Sequence, residues 1–173
     1  MAIAREERVG ELIDGQTQIF REEAFLHLLN REAVRATRYQ DFFSVCLLRP
    51  DGQSDRWRAS EEVERAVSRK VPEFVRATDM VGKLSSAIAV ILLHTAGEDA
   101  LRVAERIRAN IEQVAFRESS EGPPQRFTVS VGKVSFPQDG HDHAALLSQA
   151  LAFLEQATHR GGNQVTDSGE ILD

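Results

Sequence analysis

Few residues in this sequence stand where their types and spacing could do chemistry, so each candidate can be weighed singly. Gly140-His141-Asp142-His143 sets two imidazoles around a carboxylate, residue types that bind a transition ion such as zinc. No further ligand set accompanies them. Asp142 also stands just before a long helical pattern, where a carboxylate caps backbone N–H groups, and that is the plainer reading. Ser85 and Ser86 carry hydroxyls at a turn between two apolar runs, but a serine nucleophile needs a base beside it and none is evident. His27, His94 and His159 are scattered, with no serine or cysteine at a recognisable spacing. Cys46, the only cysteine, lies inside the apolar run FFSVCLL and reads as a buried thiol. No catalytic residue, metal ligand or cofactor is expected from these groups.

The elements that must position any site are legible from periodicity. A short charged helix over Arg5 to Ile13 ends near Asp14-Gly15, and 1–13 reads as a helix or linker ahead of a domain at 14–173. A longer helix is expected from about Arg21 to Arg38, with Phe25, Leu28, Leu29 and Ala36 at helical spacing. The strand in DFFSVCLLRPDG closes at Pro50-Asp51-Gly52, followed by a polar stretch holding Trp57. Ser60 is the expected N-cap of a helix running to about Arg76, its first turn carrying Glu61, Glu62 and Glu64. VGKLSSAIAVILLHT is a hairpin with its turn at Leu84-Ser85-Ser86-Ala87. That turn lacks the Gly, Asn or Asp that usually supplies positive φ. An amphipathic helix over 97–116, a strand in RFTVSVGKVSF, a final helix over 143–157 and an edge strand in NQVTD complete the pattern. The buried strands are expected at Phe43 to Leu48, Ile88 to Leu93 and Phe127 to Phe136. Helices interleaved with strands, one pair antiparallel, predict an α/β (α+β) fold with a mixed five-stranded central sheet flanked by helices.

Composition narrows the function classes. The 173 residues suit one domain, with 42% hydrophobic and 28% charged residues. A net charge of −6 argues against a general nucleic-acid binder. A lone cysteine suits a reducing compartment. The charged N-terminus MAIAREERVGELIDG is no signal peptide, and no apolar stretch has the length of a membrane span. The expected location is cytoplasmic, without membrane insertion.

The order of elements, with several local sequences, resembles the GGDEF family, the bacterial diguanylate cyclases. DGQTQIFREEAF is similar to the opening D-x-L-T-G-L-x-N-R-R-x-F, keeping Asp14, Thr17 and Phe25. RATDMVGKLSSAIAVILLHT is similar to R-x-x-D-x-V-x-R-x-G-G-D-E-F and its following strand. DALRVAERIRANI, FTVSVGKVSFPQDG and RGGNQV match later family segments, and the resemblance covers about residues 11 to 166. It also implies what is missing. In active members two glycines let the hairpin backbone approach the GTP phosphates, and the acidic residue after them helps hold Mg²⁺. Those positions are Ser85, Ser86 and Ala87 here, followed by Ile88 and Ala89. The other metal carboxylate falls on Arg49, the guanine-reading loop after Asp51 is shortened, and two phosphate-contacting cations align with Thr158 and Gly162. A hard divalent ion needs oxygen anions, so cyclase activity is expected to be lost.

One family motif is kept. Arg76-Ala77-Thr78-Asp79 fits R-x-x-D, six positions before Ser85, which in relatives is the inhibitory site for cyclic di-GMP. An arginine fork suits the O6/N7 edge of guanine, and a carboxylate can accept from its N1–H and amino group. Arg102 and Arg106 on the next helix match arginines that complete that site in relatives. The structural alternative is that Arg76 closes a helix and pairs with Glu73 or Asp79 at the surface. The resemblance therefore implies an inactive signalling domain that receives cyclic di-GMP and relays it to a protein partner. The alternative is a ligand-independent interaction or dimerisation scaffold, and a homodimer suits either.

Overall fold

The computed structural model describes residues 11–51, 61–85, 87–117 and 120–169. The expected N-cap Ser60, Trp57, Ser86 and most of the first predicted helix lie outside those residues. Strand β1, Phe43–Pro50, runs through the centre of a five-stranded sheet of order β2-β3-β1-β4-β5. Its partners are β3, Ala87–Leu93, and β4, Val129–Phe136, both antiparallel. Strand β2, Met80–Leu84, forms the hairpin with β3, and β5, Val165–Thr166, adds in parallel to β4. The sheet is mixed, as expected.

Alternation along the strands feeds two cores. Val45, Leu47, Ala89, Ile91, Val134 and Phe136 face α1, Glu22–Tyr39, and α4, His143–His159. Cys46, Leu48, Ile88, Val90, Leu92 and Val131 face α2, Glu61–Lys70, and α3, Gly97–Gln113. A strand covered on both sides reads as one unbroken apolar run, which is why AIAVILL shows no polar alternation. Val90 and Leu92 are fully buried. Gly132 is needed where α4 crosses β4, because a Cβ there would collide with the Ala150 carbonyl oxygen and the Leu154 amide.

Three predicted boundaries move. The helix expected to reach Arg76 stops at Lys70 and continues as a 3-10 turn, Val71–Phe74. Pro72 is the cause: it has no N–H for an α-helical bond and its ring crowds the preceding turn. Helix α3 ends at Gln113, with Val114 already extended, and the β4 pairing begins at Val129 rather than Phe127. Ahead of α1, Ile13 bridges Phe20 and Phe20 bridges Gly82, so this segment is tied to the hairpin strand. Asp14 closes its turn by accepting from the Thr17 hydroxyl at 2.6 Å and the Thr17 amide at 2.9 Å.

Candidate functional site

The hairpin turn sits against the N-terminus of α1. Leu84 pairs with Ala87 across it, and the Ser85 N–H donates to Glu22 Oε1 at 3.1 Å. Behind the turn, Lys83 Nζ approaches Glu64 Oε1 at 3.6 Å. Asp14, Arg21, Glu22, Lys83, Leu84 and Ser85 line a small cavity of about 180 Å³ here. At the end of β1, Arg49 Nη1 holds Glu155 Oε1 of α4 at 2.8 Å. The neighbouring Asp51 accepts from Thr128 Oγ1, Ser130 Oγ and the Asn163 amide, which ties β1 to β4 and to the approach to β5. A cation and a saturated carboxylate thus stand at this strand end. Among the described residues no group of three His, Cys, Asp or Glu side chains could hold a metal ion. Asp142 caps α4, its Oδ1 accepting from the Ala145 amide at 2.8 Å.

The R-x-x-D segment lies at the far end of the hairpin, where the 3-10 turn delivers the chain into β2. Asp79 Oδ2 accepts from the Arg76 amide at 3.0 Å and faces Arg76 Nε at 3.6 Å. Its other oxygen accepts from the Leu93 amide at 3.2 Å. The Arg76 side chain is 58% exposed, whereas that of Asp79 is only 2% exposed. Asp79 is therefore buried, where the structural alternative had it pairing with Arg76 at the surface. Its carboxylate is the pin of the turn. The Arg76 guanidinium reaches back to Thr95 Oγ1 and, at 3.4 Å, to the Leu93 carbonyl. Glu73 pairs with Lys70 instead of Arg76.

Helix α3 brings Arg106 to the same segment: its Nη2 donates to the Phe74 carbonyl at 3.2 Å. Arg102 is exposed and engaged with its own helix, with Asp99 at 3.1 Å and Glu98 at 3.4 Å. Arg76 and Arg106 thus flank residues 74–76, and Arg102 stands one turn away. Beside them is a cavity of about 180 Å³, lined by Arg76, Asp79, Pro72, Val75, Phe20 and Gln18 among others.

Sequence reading missed a buried polar line under this site. Thr95 accepts Ser44 Oγ at its carbonyl, Ser44 and Ser135 hydroxyls meet at 2.8 Å, and the Gly97 amide donates to Ser135. The line ends in a buried ion pair, Lys133 Nζ with Asp167 Oδ2 at 2.8 Å. A lysine inside the apolar strand VSVGKVSF was the available signal, since a buried ammonium needs a paired anion. Cys46, opposite Lys133 in the register, is fully buried, and burial pushes its thiol up to about 12.

The chain is thus an open mixed sheet with helices on both faces and a hairpin turn set against the first helix. The chain matches the family described as "Diguanylate cyclase, GGDEF domain" over residues 11–164, and it belongs to that family. It is 29% identical over 160 residues to the diguanylate cyclase DosC of Escherichia coli, covering 88% of this chain and 34% of that protein. The chain thus spans about a third of the length of this relative. Among solved structures, it superposes on the coiled coil and GGDEF domain of DgcB from Caulobacter crescentus, in complex with c-di-GMP. That match has a TM-score of 0.83 at 21% identity, over 96% of this chain and 91% of the other. It also superposes on diguanylate cyclase SiaD in complex with its activator SiaC from Pseudomonas aeruginosa. There the TM-score is 0.80 at 21% identity, over 96% of this chain and 67% of the other. At these identities the superpositions establish the fold.

Proposed function

We propose that this is a catalytically silent GGDEF domain, cytoplasmic, that binds cyclic di-GMP at Arg76, Asp79, Arg106 and Arg102 and passes occupancy to a protein partner. The observation that carries the loss of catalysis is the bond from the Ser85 amide to Glu22. A turn that serves phosphate offers its N–H groups to an anion from solution. Here a carboxylate of the same chain takes that place and would repel a triphosphate. The Arg49–Glu155 pair supports the same reading, since a guanidinium at the metal position excludes a divalent cation.

The receptor half rests on Arg76. Its fork is exposed beside a cavity, Arg106 flanks it, and both have donors beyond those used within the chain. Asp79 serves first as the pin that aims Arg76, and its contact with a guanine edge requires release of the Leu93 amide. The DgcB structure, a complex with c-di-GMP, and the SiaD structure, a complex with an activator protein, make a nucleotide ligand and a protein partner reasonable for this fold. The internal engagement of Asp79 favours the second reading, a scaffold without ligand.

Calorimetric titration with cyclic di-GMP separates the two. Saturable binding that weakens in Arg76→Ala by roughly 5–150-fold, the equivalent of about 1–3 kcal/mol, supports the receptor. No heat of binding in the wild type supports the scaffold. Turnover of GTP by the purified domain would refute catalytic silence.

A further inference from the structure

One flank of α2 carries a basic stripe that neither the hairpin nor the R-x-x-D segment uses. Val63 and Val67 point into the core, and Glu62, Arg65, Ala66 and Arg69 run along the flank of the helix at spacings of three and four, with Ala66 packed against the edge of the core. A second wall stands across from them. Phe116 exchanges both backbone hydrogen bonds with Gln125, at 2.8 and 2.6 Å, so the two segments are clamped side by side. Phe116 and Phe127 pack ring to ring with centroids 5.5 Å apart. Arg117 leaves this clamp with Nη1 on the Gly122 carbonyl at 3.1 Å. Between the walls lies a cavity of about 240 Å³ lined by the helical stripe, Arg117 and the two phenylalanines.

The charges inside it are unevenly matched. Arg65 is paired with Glu61 at 2.8 Å. Arg69 uses its Nε on the Gln16 carbonyl, and Arg117 touches only a carbonyl as well. Among the described residues, these two guanidiniums thus stand at one cavity without a carboxylate partner, on a chain whose net charge is −6. Each keeps donors beyond its single carbonyl bond, and such forks match phosphate or carboxylate oxygens in two-point geometry. Phe116 and Phe127 give the cavity an apolar part to its lining, and Glu62, also in the lining, offers one acceptor. At about 240 Å³ the space is smaller than the roughly 300–1,000 Å³ that encloses a drug-sized ligand, so the occupant is small.

We propose that this cavity is a second anion site, distinct from the R-x-x-D segment, that takes a small phosphomonoester with a ring-sized apolar body. The phosphate sits between Arg69 and Arg117, and the ring lies against Phe116 and Phe127. A phosphomonoester carries a charge of about −1.5 to −2 at neutral pH, which suits two unpaired guanidiniums.

The test uses phenyl phosphate, inorganic phosphate and benzyl alcohol as probes, each titrated into the isotope-labelled protein and followed by amide and arginine Nε resonances. The expected result is saturable shifts at residues 62–69 and 116–127 with phenyl phosphate, binding about tenfold or more tighter than inorganic phosphate, and no saturation with benzyl alcohol. Arg117→Ala, an exposed position, should weaken phenyl phosphate about tenfold or more while leaving the melting temperature unchanged. Arg69→Ala should do the same, and because it also frees Gln16, its fold is checked by the same spectrum. Arg76→Ala should leave phenyl phosphate binding at the wild-type level. Equal affinity for phenyl and inorganic phosphate would overturn the ring contact. Unchanged binding in folded Arg117→Ala, or loss of binding in Arg76→Ala, would overturn the site itself.

Discussion

Replacing Asp79 by alanine is the substitution whose cost the structure fixes most directly. The carboxylate is 2% exposed and accepts from two main-chain donors, the Arg76 amide at 3.0 Å and the Leu93 amide at 3.2 Å. Hydrogen bonds to a charged group are worth about 1.5–3 kcal/mol each, and removing the acceptor strands donors at about 1–3 kcal/mol apiece where water cannot reach them. The Arg76 side of the turn is open to solvent, so its amide can be rehydrated, whereas the Leu93 amide lies at the end of a buried strand. The sum is about 2–4 kcal/mol lost in Asp79→Ala. Arg76→Ala removes an exposed guanidinium whose contact with Asp79 is 3.6 Å long, and should cost less than about 1 kcal/mol. Urea denaturation followed by far-ultraviolet dichroism gives both numbers at an unchanged slope. If Asp79→Ala lies within about 0.5 kcal/mol of the wild type, the pinning role is refuted and the carboxylate is free to serve a ligand.

Other expectations are as direct. Cys46 should resist a thiol-reactive disulfide reagent at neutral pH until the protein is unfolded by urea, since burial raises its thiol to about 12. Asp41 is held at about 2, first by the Phe42 amide and then by Arg35, so its contribution is present above its unfolded value near 3.8 and is lost as pH falls toward 2. Asp41→Asn should therefore flatten the acid limb of a stability profile recorded over that window. Asp167→Ala leaves the Lys133 ammonium buried without an anion and should cost about 3–5 kcal/mol by urea melt. The double change with Lys133→Met should recover much of that loss.

The fold was legible because its signals are local and redundant. Continuous apolar runs gave the central strands, and the amphipathic spacing of Ala100, Ala104, Ile107 and Ile111 gave α3. Where the forecast slipped at this helix, one residue decided the matter: Pro72 ended α2 about six residues before the reading allowed. The site was less legible because its state depends on distant partners. The string RATD names an arginine and an aspartate but not the Leu93 amide, fourteen residues on, that occupies the carboxylate. Nor does a strand sequence reveal that Lys133 meets Asp167 across the sheet edge, a contact set by the parallel pairing of β5.

The two ends of the hairpin differ in a way that bears on the whole functional reading. At the Ser85 end Glu22 accepts from the turn amide, and at the end of β1 Arg49 pairs with Glu155, and on the proposed reading these groups stand where a nucleotide–metal complex would have to bind. At the Arg76 end the balance is unequal: Asp79 is buried and bonded, while the guanidinium that it aims stays half in solvent. Desolvated charges that already have partners add little to ligand affinity, because the old contacts must break before new ones form. An exposed fork held at its backbone carries a smaller ordering cost, and its affinity is retained. An exposed guanidinium is therefore left at Arg76, with Arg106 beside it, and on the proposed reading that asymmetry would favour binding a nucleotide over making one.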